Sequence, residues 1–260
     1  MKFGFVKAGI FAFGSILISS CGGKNADDAT GISLAGYEYD YIVELPDSLA
    51  MDGEEGKYVR VSGQGVLPEK IGDHEMEFVR DSLMRLGGVA KIEGTKAQPH
   101  LLPGYSLTEL DPRKDTAGST RYNELTVTMV TPRIVVWRDY AYSYLFRSAH
   151  GVYNTTFVNY SIPQRKILQM SDLFKAGSEE SLAALLRSKL EDDEVELSIP
   201  LKEVGVPNDF EITENGIRFV YSLYEIAPYV EGEVAVELES YQLSELLQPG
   251  VEDLLWQRIE

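Results

Sequence analysis

Chemistry needs side chains that can attack, move protons or hold a metal, and this chain carries few of them. It has three histidines, His74, His100 and His150, and one cysteine, Cys21. The histidines lie far apart in sequence, with no closely spaced pair and no H-E-x-x-H motif for a metal. There is no G-x-S-x-G elbow. Ser148-x-His150 sets a hydroxyl and an imidazole on one side of a strand end, a poor substitute for a triad. Forty-one Asp and Glu residues make some acidic pair inevitable, so paired carboxylates do not point to glycosidase chemistry. Ser62-Gly63-Gln64-Gly65 superficially looks like a phosphate loop but lacks a third glycine and a Lys-Ser/Thr partner. This inventory predicts no enzyme, no cofactor and no metal.

The element that must position His150 is a hairpin from Arg133 to Ile162. Ile134, Val136, Tyr140, Tyr142, Tyr144 and Phe146 share one parity. Val135, Trp137, Ala141 and Leu145 take the other, mixed with Asp139, Ser143 and Arg147. The return strand alternates Val152, Thr156, Val158, Tyr160 and Ile162 with Tyr153, Thr155 and Phe157. Period-two alternation of β-branched and aromatic residues predicts strands. Apolar groups on both faces predict a central hairpin covered on both sides. The turn is Ser148-Ala149-His150-Gly151, and His150 reads first as a partly exposed, hydrogen-bonded turn residue.

The fold class that follows is α+β: antiparallel sheets around this hairpin, a few packing helices, and two α/β-type halves. Tyr37 to Pro46 gives a first strand, and Lys57 to Leu67 a second. Gly63 and Gly65 in the second signal a bulge or a close backbone approach. Asp73 is the expected N-cap of a helix with Met76, Val79, Leu83 and Leu86 on one face and Phe78 beside them. Val89 to Arg121 shows little periodicity and reads as a long functional or mobile loop. Asn123 to Thr131 is a strand. A short helix starts at Ser171, and Ser178 caps a second with the stripe Leu182, Leu185, Leu186 and Leu190. Phe210–Thr213 and Ile217–Tyr221 form a hairpin in which Asn215-Gly216 supplies the positive φ of a tight turn. Glu233–Leu238 is a further strand, with helical turns at Tyr241–Leu247 and Val251–Trp256.

The N-terminus reads as a targeting segment. Lys2 and Lys7 precede an uncharged apolar run, Ala8 to Ile18, shorter than the roughly 20 residues that span a bilayer. Ile18-Ser19-Ser20-Cys21 resembles the lipobox of bacterial lipoproteins, in which the cysteine is lipidated and becomes the new N-terminus. Residues 1–20 are then a signal peptide, and acyl chains on Cys21 anchor the protein with no membrane-spanning helix. Residues 21–35 read as a flexible tether. Asp27-Asp28 loosely resembles a surface-export signal, or is an incidental acidic pair. The expected place is the cell envelope, by lipid anchor, at the outer membrane with the leaflet open. The net charge of −17 becomes −19 once Lys2 and Lys7 are removed. That excess argues against nucleic acid and anionic membrane surfaces, and favours cationic partners or simply solubility.

The second half carries a resemblance. Ser148, His150, Gly151, Asp172, Phe174, Gly216, Tyr224, Pro228, Tyr229 and Gly232 lie in blocks similar, in order and spacing, to the extracytoplasmic domain of the RsiV anti-sigma factors. The same module accompanies the deacetylase PdaC. The resemblance spans about residues 36–248, and the Tyr224–Gly232 block is its specific part. It implies a PdaC-like half at 36–165, an RsiV-like half at 166–260, and direct binding of lysozyme. The sequence shows no anti-sigma segment and no deacetylase domain, so what carries over is a binding module. Three readings follow: a lipid-anchored module for a lysozyme-like cationic protein, a glycan or peptidoglycan-binding lipoprotein using Trp137, Tyr140 or Tyr142, and a wall-modifying enzyme using His150. Function is expected on the loops, above all Val89–Arg121 and Tyr224–Gly232.

Overall fold

The computed structural model describes residues 31–71, 74–113 and 117–256. Cys21, the signal segment, the tether up to residue 30 and Asp73 lie outside them. The fold is mixed α+β, with one large and one small sheet. In chain order come β1 (Ile32–Glu44), β2 (Tyr58–Ile71), β3 (His74–Glu75), α1 (Glu77–Leu86), β4 (Val89–Glu93), β5 (Lys96–Pro99), β6 (Ser106–Leu107) and β7 (Ser119–Val130). The central hairpin is β8 (Ile134–Tyr144) and β9 (Val152–Ser161). Then follow β10 (Lys166–Ile167), α2 (Met170–Leu173), α3 (Glu179–Asp192), β11 (Asp209–Ile212), β12 (Gly216–Tyr221), β13 (Val234–Glu239), α4 (Ser240–Leu243) and α5 (Val251–Trp256).

The large sheet runs β10-β9-β8-β7-β2-β1-β5-β4, with β3 on β2 and β6 on β1. The expected antiparallel pattern holds for the hairpins but fails at two junctions. β2 meets β7, and β1 meets β5, in parallel. The cause is the long excursion through α1 and β4–β6 between β2 and β7, a crossover of the length parallel pairing requires. The small sheet, β11-β12-β13, is antiparallel throughout.

β8 is the wall between two cores. Val135 and Trp137 face a core with Leu67, Val79 and Leu83. Ile134 and Val136 face the other, with Leu182, Leu186 and Phe219. All four of these β8 side chains are fully buried, so the hairpin is covered on both sides as its two-faced pattern predicts. Trp137 shows which effect wins there. Its Nε1–H has no partner among the described residues, a cost of about 1–3 kcal/mol. Burying an indole of about 150–250 Å2 contributes roughly 4–6 kcal/mol.

Gly63 and Gly65 mark a close approach, not a bulge. A Cβ at Gly63 would stand 2.6 Å from the Tyr39 ring, and one at Gly65 2.7 Å from Leu125. The bare backbone lets Tyr37 and Tyr39 lie across β2 in the first core.

Several expectations need correction. β1 begins at Ile32, so residues 32–35, read as tether, are strand paired to β2. The supposed loop Val89–Arg121 contains β4, β5, β6 and the start of β7. β4, β5 and β6 are too short to show periodicity, and β4–β5 turns at Gly94 with φ 63°. Phe78 is exposed rather than packed. Met76 holds the N-cap position of α1. Ser178 precedes α3, but its hydroxyl donates to Lys175 O instead of capping. Neither Asn215 nor Gly216 has positive φ. Gly216 is needed because a Cβ there would lie 2.0 Å from Leu238 O of β13.

Candidate functional site: the seam along the outer edge of β9

β9 pairs with β8 on one side, and on the other only its end meets β10. The rest of that outer edge carries N–H and C=O groups that a neighbouring strand would otherwise satisfy. Groups from residues 209–233 reach it at every second residue, at backbone atoms of Gly151, Thr155 and Phe157 and at the side chains of Tyr153 and Asn159. The Tyr229 hydroxyl donates to Gly151 O at 2.8 Å. Gly232, at φ 75°, brings its backbone onto the Tyr153 hydroxyl, 2.7 Å from where a Cβ would stand. The Glu233 carboxylate accepts from Thr155 N–H at 2.6 Å and from its hydroxyl at 2.7 Å. The Asp209 carboxylate faces Phe157 N–H, which offsets in part the rise that burial gives its pKa. Asn159, 1% exposed, donates to Phe210 O and accepts from Ile212 N–H, at 2.8 and 2.9 Å.

At the loop end of this seam lies an aromatic cluster. The His150 imidazole stacks on Tyr229 with centroids 4.0 Å apart, and Tyr224 lies 5.7 Å from Tyr229. His150 Nδ1 is 3.0 Å from Gly151 O, which only a protonated nitrogen can approach as a hydrogen bond. In the neutral ring Nε2 is then the acceptor for the Tyr224 hydroxyl, 3.2 Å away. Ser148 takes no part in this chemistry: its hydroxyl reaches only Leu145 O and His150 O. The Ser148 hydroxyl thus holds the turn and makes no hydrogen bond to the imidazole among the described residues.

Tyr224 has φ 65°, a left-handed conformation that costs a bulky residue on the order of 1–2 kcal/mol. Arg147, in the β8–β9 loop, has φ 64°. Ser222 N–H donates to Glu225 Oε2, and Glu225 N–H to Ser222 O, fixing the turn that holds Tyr224 out. Tyr224 is 54% exposed and Val230 83%, and Glu225 and Glu231 beside them are also exposed.

The structure therefore gathers Ser148, His150, Gly151, Tyr224, Pro228, Tyr229 and Gly232, split by more than 70 residues of sequence, at one place. Pro228 opens the 3-10 turn Tyr229–Glu231 and accepts from Glu231 N–H. The other three landmarks lie elsewhere. Asp172 accepts from Gln169 N–H in the capping box of α2 and pairs with Lys166. Phe174 is buried against Phe219. Gly216 serves the small sheet. Of the rings proposed to stack on sugars, Trp137 is fully buried and Tyr140 and Tyr142 are half-buried. His100 is exposed at the end of β5. Among the described residues no group of three or more His, Cys, Asp or Glu is placed to hold a metal.

Sequence reasoning passed over Asp139. It is 4% exposed on β8, and Asn123 donates to its Oδ2 at 3.4 Å while Oδ1 has no partner among the described residues. Burial pushes its carboxyl up to about 7, and the Asn123 contact offsets this only in part. The available signal was an acid in the middle of a strand rich in apolar and aromatic residues.

Residues 171–240 match the family described as a protein of unknown function, DUF3298. The match covers Asp172, Phe174, Gly216 and the whole Tyr224–Gly232 block, and stops short of Ser148–Gly151. A DUF3298 family member from Bacteroides fragilis has a similar structure, with TM-score 0.60 and 18% identity over 87% of this chain and 98% of its own. A DUF3298 protein from Pseudomonas aeruginosa aligns with TM-score 0.54 and 18% identity, over 84% of this chain and 96% of its own. At such identities the likeness is one of fold. No curated protein matches the chain. The DUF3298 match thus covers the small sheet and the block that seals β9.

Proposed function

We propose that this protein is an exported, lipid-anchored envelope protein whose folded part binds another protein, with no catalytic role. The observation that carries this reading is Tyr224. A strained, half-exposed aromatic, propped by His150 and flanked by exposed Glu225, Glu231 and Val230, has the make-up of an interface anchor with an acidic rim. Backbone strain persists where function uses it. The acid excess of the chain favours a cationic partner, whose encounter it speeds at low salt. A lysozyme-like wall-lytic enzyme has that chemistry, and the RsiV resemblance in the same block supports it.

The test is calorimetry with several lysozymes at low ionic strength. Binding is expected, weaker as added salt shortens the screening length from about 30 Å to about 8 Å. Tyr224→Asn, which tolerates the left-handed backbone, should weaken it about tenfold or more, equal to about 1.4 kcal/mol. Absence of binding to every lysozyme, or binding indifferent to Tyr224→Asn, sinks the proposal. The glycan reading keeps less support, because its indole is inside the core.

A further inference from the structure

A cleft of about 640 Å3 opens between the hairpin and the outer face of the small sheet. Its walls follow from strand parity. Phe219 and Tyr221 of β12 point into the second core, so Arg218 and Val220 point the other way, into the cleft. Opposite them stand Arg138 and Phe157, cross-strand neighbours on β8 and β9. A β-bulge forms the rim. The β7–β8 register slips between Val127 and Met129, leaving Thr128 as the extra residue beside the cleft. Bulges recur where a sheet must re-aim side chains near a site.

The charges in the cleft are unevenly matched. Arg218 pairs with Glu211 at 2.7 Å and with Glu237 at 3.4 Å. Among the described residues Glu233 accepts from Thr155 and pairs with no cation. Glu214 is exposed at the mouth. Arg138 makes no ion pair among the described residues, and its Nε–H is shielded with no acceptor. In a chain with 41 acids and 24 bases, a half-buried guanidinium without a carboxylate is unexpected. Three glutamates line the same cleft, yet none of them pairs with Arg138. An unpaired guanidinium binds carboxylates well, and the uncompensated acids suit an ammonium.

We propose that this cleft binds a short peptide with free termini. Arg138 takes its α-carboxylate, Glu233 and Glu214 face its ammonium group, and Phe157 and Val220 pack on its side chains. The volume falls within the roughly 300–1,000 Å3 of small-molecule sites and exceeds what a single amino acid fills. The inference is independent of the protein-binding reading, because Tyr224 does not line the cleft.

The probe is L-alanyl-L-alanine, measured by calorimetry against the whole folded chain. Its N-acetylated form, its C-terminal amide and acetate serve as comparators. The dipeptide should bind, and blocking either terminus should weaken it about tenfold. Arg138→Met, which keeps the aliphatic stem, should abolish binding. Glu214→Gln is exposed and safe for folding, and should weaken the dipeptide by about threefold while leaving acetate unaffected. If Arg138→Met fails to fold, the blocked peptides and Glu214→Gln decide the matter alone. Absence of dipeptide binding, equal binding of either blocked peptide, or acetate binding as tight as the dipeptide overturns the proposal.

Discussion

Asp139 is a single residue whose protonation should be visible in the stability of the whole chain. Its folded value, pushed up to about 7 by burial, lies above the roughly 3.9 of an unfolded aspartate. Between these values the folded state holds the extra proton, so stability falls as pH rises from about 4 to 7 and levels off above. At about 1.4 kcal/mol per unit the loss is on the order of 4 kcal/mol. Asp209 is also raised by burial and adds a slope of the same sign. Asp139→Asn keeps the shape without the charge. Urea midpoints at pH 5 and pH 8 should differ much less in this variant than in the parent, and an unchanged difference would remove Asp139 as the cause. Tyr224 offers the complementary case. Tyr224→Asn relieves a left-handed aromatic, so stability should hold or rise by up to about 1 kcal/mol while partner binding falls. Neither residue announced this role in sequence. Asp139 differed from its neighbours only in polarity, and backbone strain leaves no mark in composition.

The strands show how far periodicity carries. β1, β2, β7, β8 and β9 are long enough for alternation to reveal them, and α1 and α3 show their stripes at Val79–Leu83 and Leu182–Leu190. β4, β5 and β6, at five residues or fewer, are invisible to the same signal. Alternation also says nothing about which strand lies beside which, so the parallel β2–β7 junction was illegible. The closure of the β9 edge was equally so, because Thr155 and Glu233 are 78 residues apart. Yet the landmark residues were legible one by one; what sequence withheld was that most of them meet. Asn159 tests the closure. Asn159→Ala leaves Phe210 O and Ile212 N–H buried without partners, at about 1–3 kcal/mol each. Denaturant unfolding should show a loss of roughly 2–6 kcal/mol, whereas a loss below about 1 kcal/mol would mean that water replaces the amide.

At the scale of the molecule, one strand feeds both cores. The chain's two tryptophans happen to report on them separately. Trp137 sits in the first core, and Trp256 packs on the second with its Nε1–H donating to Thr213 O. If β8 couples the halves, Trp137→Phe and Trp256→Phe variants should give unfolding curves by fluorescence with the same midpoint, after correction for the stability each substitution removes. Separate transitions would show two halves that melt independently.

The side-chain closure of β9 also fixes an order of events in time. β8 and β9 pair across a short loop, and such local contacts form early. The groups that seal the outer edge arrive from 51 to 78 residues further along the chain. A refolding molecule therefore passes through an interval in which a long, well-formed strand presents bare N–H groups to any neighbour. During that interval the rival of the native carboxylate is another copy of the same edge, so refolding yield should fall as protein concentration rises. Glu233→Gln, which weakens the seal at Thr155, should move that fall to lower concentration.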